Sequence, residues 1–140
     1  MSVSVQHEVV VRCSPARAFT LFTERPDVWW PANHRLLSDS RFSLEPRVGG
    51  RLVERAGDEE RVWAEVLEWS PSSRLRLSWR MGNAVTHALV DFTPDGPDTR
   101  VRVEHTPGPS GLAGPDWQSR AVRFDAGWTD LLAAFSGALT

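Results

Sequence analysis

The chain has 140 residues, 41% of them hydrophobic and 24% charged, with a formal net charge of -2. That length can bury roughly 70% of its unfolded surface in one core, so residues 1–140 are expected to form a single domain. A near-neutral charge gives no electrostatic case for nucleic acid or an anionic membrane as partner.

The residue types exclude more. All 16 Lys+Arg positions are Arg, so lysine Schiff-base chemistry and a P-loop lysine are impossible. There is no Tyr to act as a phenolic acid, and Cys13 is alone, which rules out an intrachain disulfide or a Cys-rich metal site. No signal peptide and no apolar run near the ~20 residues of a membrane span can be read. A cytoplasmic protein with no metal and no cofactor is the expectation. The 7 Trp are the oddity, suited to a thick core or to the wall of an apolar pocket.

The first segment alternates, with Val3, Val5, His7, Val9 and Val11 on one face, which predicts a strand. Ser14-Pro15 then reads as a helix cap and first turn, followed by Ala18, Phe19, Leu21 and Phe22 at helical spacing. Pro26 ends that helix and opens a short second one carrying Trp29 and Trp30. Residues 31–40 read as loop. Phe42 and Leu44 mark a strand, and Gly49-Gly50 marks its hairpin to Arg51–Arg55. Residues 56–60 are the next turn, with the carboxylates of Glu59 and Glu60 solvated there. Strand-like runs follow at 61–69, 74–81, 84–93 and 99–106, separated by Pro71-Ser72-Ser73, Gly82-Asn83 and Pro94-Asp95-Gly96-Pro97. In the fifth of the seven runs Leu75, Leu77, Trp79 and Met81 alternate with Arg and Ser; in the sixth, Ala88, Val90 and Phe92 point inward, leaving His87 and Leu89 outside. After a Pro/Gly loop at 107–115, a long helix presents Trp117, Ala121, Phe124, Trp128, Leu131, Leu132, Phe135 and Leu139 on one face.

One strand, two short helices, six strands and a long helix define an α+β fold, a curved antiparallel sheet with the last helix across it. A helix of about 24 residues spans ~36 Å and can leave space beneath it. His105 shares parity with Val101 and Val103, so it belongs to the inner row. If Cys13 pairs near Thr99, His7 falls opposite His105. His105 is the best single polar candidate, as a ligand contact or a general base, with His7 beside it as the only sensible partner. Arg47 and Arg80 are candidates for an anionic head group; Asp116 and Arg120 read as a helix-surface pair. Trp30 and Trp79 are the tryptophans expected on a cavity wall, with Phe124 and Trp128 facing them from the helix. No nucleophile elbow, dinucleotide fingerprint or metal-ligand motif is present.

The ordered segments VVVRCSPARAFTLFTERPDVWW, LEPRVGGRL, VLEWSPSSRLRLSW, DTRVRVEH and GWTDLL resemble the START-like (SRPBCC) helix-grip superfamily, in the branch of the activator of heat-shock protein 90 ATPase homologues. The likeness runs over roughly residues 3–139. It implies a seven-stranded antiparallel sheet gripping a C-terminal helix around a cavity. Trp29-Trp30, Gly49-Gly50, Pro71, Leu75, Trp79, His105 and Gly127-Trp128 match family positions; Ala64 departs, where relatives often carry glycine. Such proteins bind lipids, hormones or polyketides, act as cyclases, or assist a chaperone. A co-chaperone role is not expected, since the eukaryotic proteins naming the branch carry a further domain.

The leading expectation is an apolar or aromatic small molecule bound between sheet and helix at Trp30, Trp79, His105, Phe124 and Trp128. The glycines of the 107–115 loop would gate its entry. The alternatives are a cyclase or hydratase acting on a polyketide-like substrate, or a homodimeric interaction module using an outer sheet face.

Overall fold

The structure is a computed structural model that describes residues 4–81 and 84–139; Val3, the Met81 side chain and the Gly82-Asn83 turn lie outside the described residues. Its strands are β1 (Val5–Val11), β2 (Arg41–Leu44), β3 (Arg51–Ala56), β4 (Glu59–Ser70), β5 (Arg74–Met81), β6 (Ala84–Asp95) and β7 (Asp98–Thr106). Its helices are α1 (Pro15–Glu24), α2 (Pro26–Trp29) and α3 (Gly114–Gly137). All seven strands form one antiparallel sheet in the order β1-β7-β6-β5-β4-β3-β2. The inner face of that sheet packs against α3, α1 and α2.

Local chemistry accounts for the ends. Ser14 Oγ accepts the Arg17 amide at 3.2 Å and Pro15 starts α1, as the cap signal predicts. Gly57, at φ 60°, turns the chain so tightly that β4 begins at Glu59, not after Glu60. The expected turn at 56–60 is therefore corrected: Glu59 and Glu60 are paired with Ala56 and Arg55. Gly96 at φ 61° does the same for β6 and β7, which extend to Asp95 and Asp98.

Two irregularities in β4 shape the interior. The register shifts at Leu52/Val53 opposite Trp63, and again between Val66 and Glu68. Each adds a residue to β4, bends it, and resets its parity. Ala64 and Val66 face inward by simple alternation. The bulges bring Trp63 and Trp69 to the same side, where Trp63 meets Trp30 and Trp79, and Trp69 meets Phe19. Ala64 is fully buried beside the first bulge.

The pairing of β1 with β7 corrects the expected register. Val5, not His7, lies opposite His105; His7 pairs with Val103, and Val11 with Thr99. The slip is two residues, so every side chain keeps its face. Thr99 Oγ1 donates to the Cys13 carbonyl at 2.7 Å, so Cys13 closes on Thr99 from beyond the ladder.

Candidate functional site

The space under α3 is almost filled. Phe22, Trp29, Trp30, Leu75, Leu77, Trp79 and Trp128 surround a residual void of only about 10 Å³. A second, open space lies along one flank of α3. This slot of about 220 Å³ is lined by Trp63 and Trp79 from the sheet, by Arg123, Phe124, Gly127, Trp128 and Leu131 from α3, and by His34. His34 ends a 3-10 turn, Ala32–His34, between α2 and β2.

Three residues expected at a ligand wall, Trp79, Phe124 and Trp128, border the slot. Trp30 and His105 stand behind it. Trp30 stacks on Phe42 with centroids 4.3 Å apart and packs edge-on to Trp63 at 5.2 Å. Its indole N–H donates to the His34 carbonyl at 3.1 Å, so it fixes the 3-10 turn from below.

His105 has no exposed surface and its ring lies 3.8 Å from that of Phe124, nearly parallel. The Trp128 indole N–H donates to Nδ1 at 3.0 Å, which requires the ring proton on Nε2. Nε2 then donates to Thr86 Oγ1 at 2.6 Å. Burial pushes the pKa down to about 3, with a smaller contribution from His87. His105 is therefore a neutral residue with both nitrogens committed, and it holds Trp128 and Phe124 in place. It does not present a free lone pair to the slot, which corrects the expectation of a general base there. His7 is not its partner: its Nε2 lies 2.7 Å from Asp125 Oδ1, on the opposite flank of α3.

The far wall has its own anchor. Glu54 is a carboxylate with no exposed surface. It accepts from the Leu36 amide at 3.0 Å, the Leu37 amide at 2.9 Å, Ser40 Oγ at 2.6 Å and Trp63 Nε1 at 3.1 Å. Burial pushes its pKa up, but these donors outweigh burial and the net shift is downward. Arg35 ties the same loop to the Asp27 carboxylate and to the carbonyls of Asp27, Trp30 and Ser40. Sequence reading missed Glu54, because one charged residue in a strand carries no mark of being buried.

His34 was also missed. Its Nε2 lies 2.9 Å from Asp130 Oδ2, at the solvent edge of the slot. The hydrogen bond from His34 lowers the pKa of Asp130; desolvation opposes it, and the His34 charge and a hydrogen bond from Asn33 assist. The two residues are 96 positions apart, so no spacing signal links them. Arg123 and Gly127 precede Asp130 on the same helical flank.

Other expected features lie elsewhere. Arg47 and Arg80 are surface residues within 3.1 and 4.0 Å of Glu45 and Glu65. His87 and Leu89 do face outward, around a shallow hollow of about 120 Å³ with Arg76, Glu104 and Thr106. Among the described residues, none from the 107–115 loop lines the slot, which corrects the gating expectation. Gly108 packs on His87, where an added Cβ would come within 2.9 Å of the ring. Among the described residues no helix is long and apolar enough to cross a membrane, and no group of three His, Cys, Asp or Glu could hold a metal ion.

A curled seven-stranded sheet closed on a terminal helix, with short helices after the first strand, defines the START-like helix-grip class. Within it the chain belongs to the family described as activator of Hsp90 ATPase homolog 1-like protein, whose profile matches residues 12–140. Among solved structures, an anthrahydroquino-γ-pyrone synthase, Txn09, complexed with SUM is 33% identical, with 98% of this chain and 97% of that chain covered and a TM-score of 0.66. The Aha1 dimer from Colwellia psychrerythraea is 16% identical, covering 99% and 96%, with a TM-score of 0.72. Protein MLL2253 from Mesorhizobium loti is 20% identical, covering 97% and 96%, also with a TM-score of 0.72. No curated protein sequence matches the chain.

Proposed function

We propose that the chain binds a flat, aromatic, polyketide-type small molecule in the slot beside α3. The observation that carries this reading is the construction of the slot, with Trp63, Trp79, Phe124 and Trp128 around about 220 Å³ and His34 and Arg123 among its lining. A lining this rich in aromatic rings favours a planar aromatic occupant, since offset and edge-on aromatic pairs gain about 0.5–1.5 kcal/mol beyond area burial. The volume falls below the ~300–1,000 Å³ of drug-sized sites, so the occupant is compact or projects into water.

Gly127 supplies the test. It lines the slot, and a Cβ there would meet nothing within 4 Å. Gly127→Leu therefore fills the slot from the helix side without disturbing the core. Tryptophan emission is titrated with a hydroxyanthraquinone and with palmitate. The expected result is saturable quenching by the anthraquinone, lost in Gly127→Leu. Equal quenching of both proteins, or none in the wild type, overturns the proposal.

A second reading is that the bound molecule undergoes ring closure. The similarity to a γ-pyrone synthase over nearly the full length of both chains favours it.

A further inference from the structure

We propose that His34 is the general base of the slot, oriented by Asp130, and that Arg123 receives the negative charge its action creates. The assignment rests on the aromatic-ligand reading and extends it to a substrate class, ortho-hydroxyaryl β-diketones.

Three observations point this way. First, Asp130 accepts from Nε2 of His34 at 2.9 Å, which places the ring proton on Nε2 and leaves the lone pair on Nδ1. Among the described residues no hydrogen bond reaches Nδ1. A histidine held by a carboxylate through one nitrogen, with the other open, is the arrangement acid–base chemistry needs. Second, the backbone that carries the imidazole is anchored from behind. Trp30 Nε1 fixes the His34 carbonyl, and Arg35 spends its guanidinium on Asp27 and on backbone carbonyls. Third, Arg123 lines the same slot and no carboxylate among the described residues lies within ion-pair distance of it. An unpaired guanidinium beside aromatic walls suits an oxyanion.

The other histidine–carboxylate pair gives the contrast. His7 and Asp125 are 2.7 Å apart, but His7 borders a polar surface groove with Gln6, Glu8 and Arg102. It ties α3 to the sheet edge and faces no apolar slot.

The chemistry balances without an oxidant or reductant. Nδ1 takes the phenolic proton, and the O–H electron pair stays on oxygen as a phenolate beside Arg123. That oxygen attacks the distal ketone carbon. The carbonyl π pair moves to its own oxygen, which takes the proton back from His34. The resulting hemiketal loses its hydroxyl and a methylene proton as water, and a γ-pyrone is left.

The probe is ortho-hydroxynaphthoyl acetone, followed by the absorbance of its pyrone product, with tryptophan quenching as an independent binding readout. In His34→Gln the side chain can still donate to Asp130 but cannot act as a base. The expected result is that saturable quenching persists while turnover falls by about 100-fold or more. Asp130→Asn, which removes the carboxylate that orients the ring, should lower kcat more than it raises KM. Arg123→Met should lower kcat more than it raises KM. Wild-type turnover matched by His34→Gln, or wild-type binding with no turnover above the uncatalysed rate, overturns the assignment while leaving the binding reading intact. Absence of quenching in the wild type overturns both.

Discussion

Replacing His105 by Leu tests whether this histidine is a neutral, committed core group. At about pH 7.5 the change leaves the Trp128 N–H without its 3.0 Å acceptor and Thr86 without its 2.6 Å partner. Each buried polar group left unpaired costs about 1–3 kcal/mol, so the variant should be about 2–5 kcal/mol less stable. The pH dependence is the sharper part. The folded pKa of about 3 lies below the ordinary 6.5, so between those values the unfolded chain binds a proton that the folded chain does not. Stability from this group is therefore fully present above pH 6.5 and lost as pH falls toward about 3, at about 1.4 kcal/mol per pH unit. By about pH 4 the wild type has lost roughly 3 kcal/mol through His105 alone.

The variant lacks that loss, so the two stability curves should converge as pH falls. His87, whose pKa is lowered by burial and by Arg76, titrates in both proteins, as do Asp27, Glu45, Glu54 and Asp130. The difference between the curves therefore isolates His105. Urea unfolding from about pH 7.5 to 4 measures it, with far-ultraviolet circular dichroism beside fluorescence because Trp128 itself reports locally. A stability gap that stays constant across this range would refute the neutral, desolvated state assigned to His105.

Three further outcomes are expected. Glu54→Gln turns an amide N–H toward donors, and should cost at least about 2 kcal/mol in urea unfolding and weaken quenching by freeing Trp63. Because the Glu54 pKa is lowered from 4.5, the wild-type advantage should be present above that value and shrink as pH falls below it; an advantage that persists in acid contradicts the reading. Gly50→Ala drives a Cβ to 2.3 Å from the Glu45 carbonyl in the β2–β3 hairpin, so unfolding should be easier by about 1–3 kcal/mol, and a neutral result would show that the hairpin can open. Gly127→Ala removes a helix-interior glycine into open space and should raise stability by about 0.5–1 kcal/mol, read as a higher Tm.

Antiparallel pairing of successive strands was legible from the short turns that join them, and the inner rows of β1, β5, β6 and β7 because each alternates cleanly over its length. The α3 face was legible for the same reason at helical period, and Trp117, Phe124, Trp128, Leu131, Leu132 and Phe135 are all buried. What defeated periodicity was β4. A one-residue bulge at Trp63 resets the phase, so the residue that forms the slot's sheet wall shares no parity with Ala64 and Val66. The β1–β7 register was out by two residues, because alternation fixes a face but not a partner. Polar groups were legible only as inward or outward. His105 reads as inward and chemically interesting, yet its two hydrogen-bond partners are Thr86 on β6 and Trp128 on α3. His34 reads as loop, yet α3 supplies its carboxylate.

These two outcomes share a cause in the tryptophans. Trp29, Trp30, Trp79 and Trp128 occupy the volume that a curled sheet leaves under its helix, down to about 10 Å³. With the centre filled, open space survives only along the helix flank, and a ligand there keeps one edge toward water. The polar group that meets that edge must then come from the surface loop beside it, not from the inner end of β7. For such a loop to serve, it must be rigid before the ligand arrives, since a mobile side chain would spend binding energy on its own ordering. Glu54 and Arg35 supply that rigidity. The buried carboxylate gathers the amides of Leu36 and Leu37, the Ser40 hydroxyl and the Trp63 indole onto one point. The loop that carries His34 and the ring that walls the slot are thus held by the same group, and their separation is set by the fold.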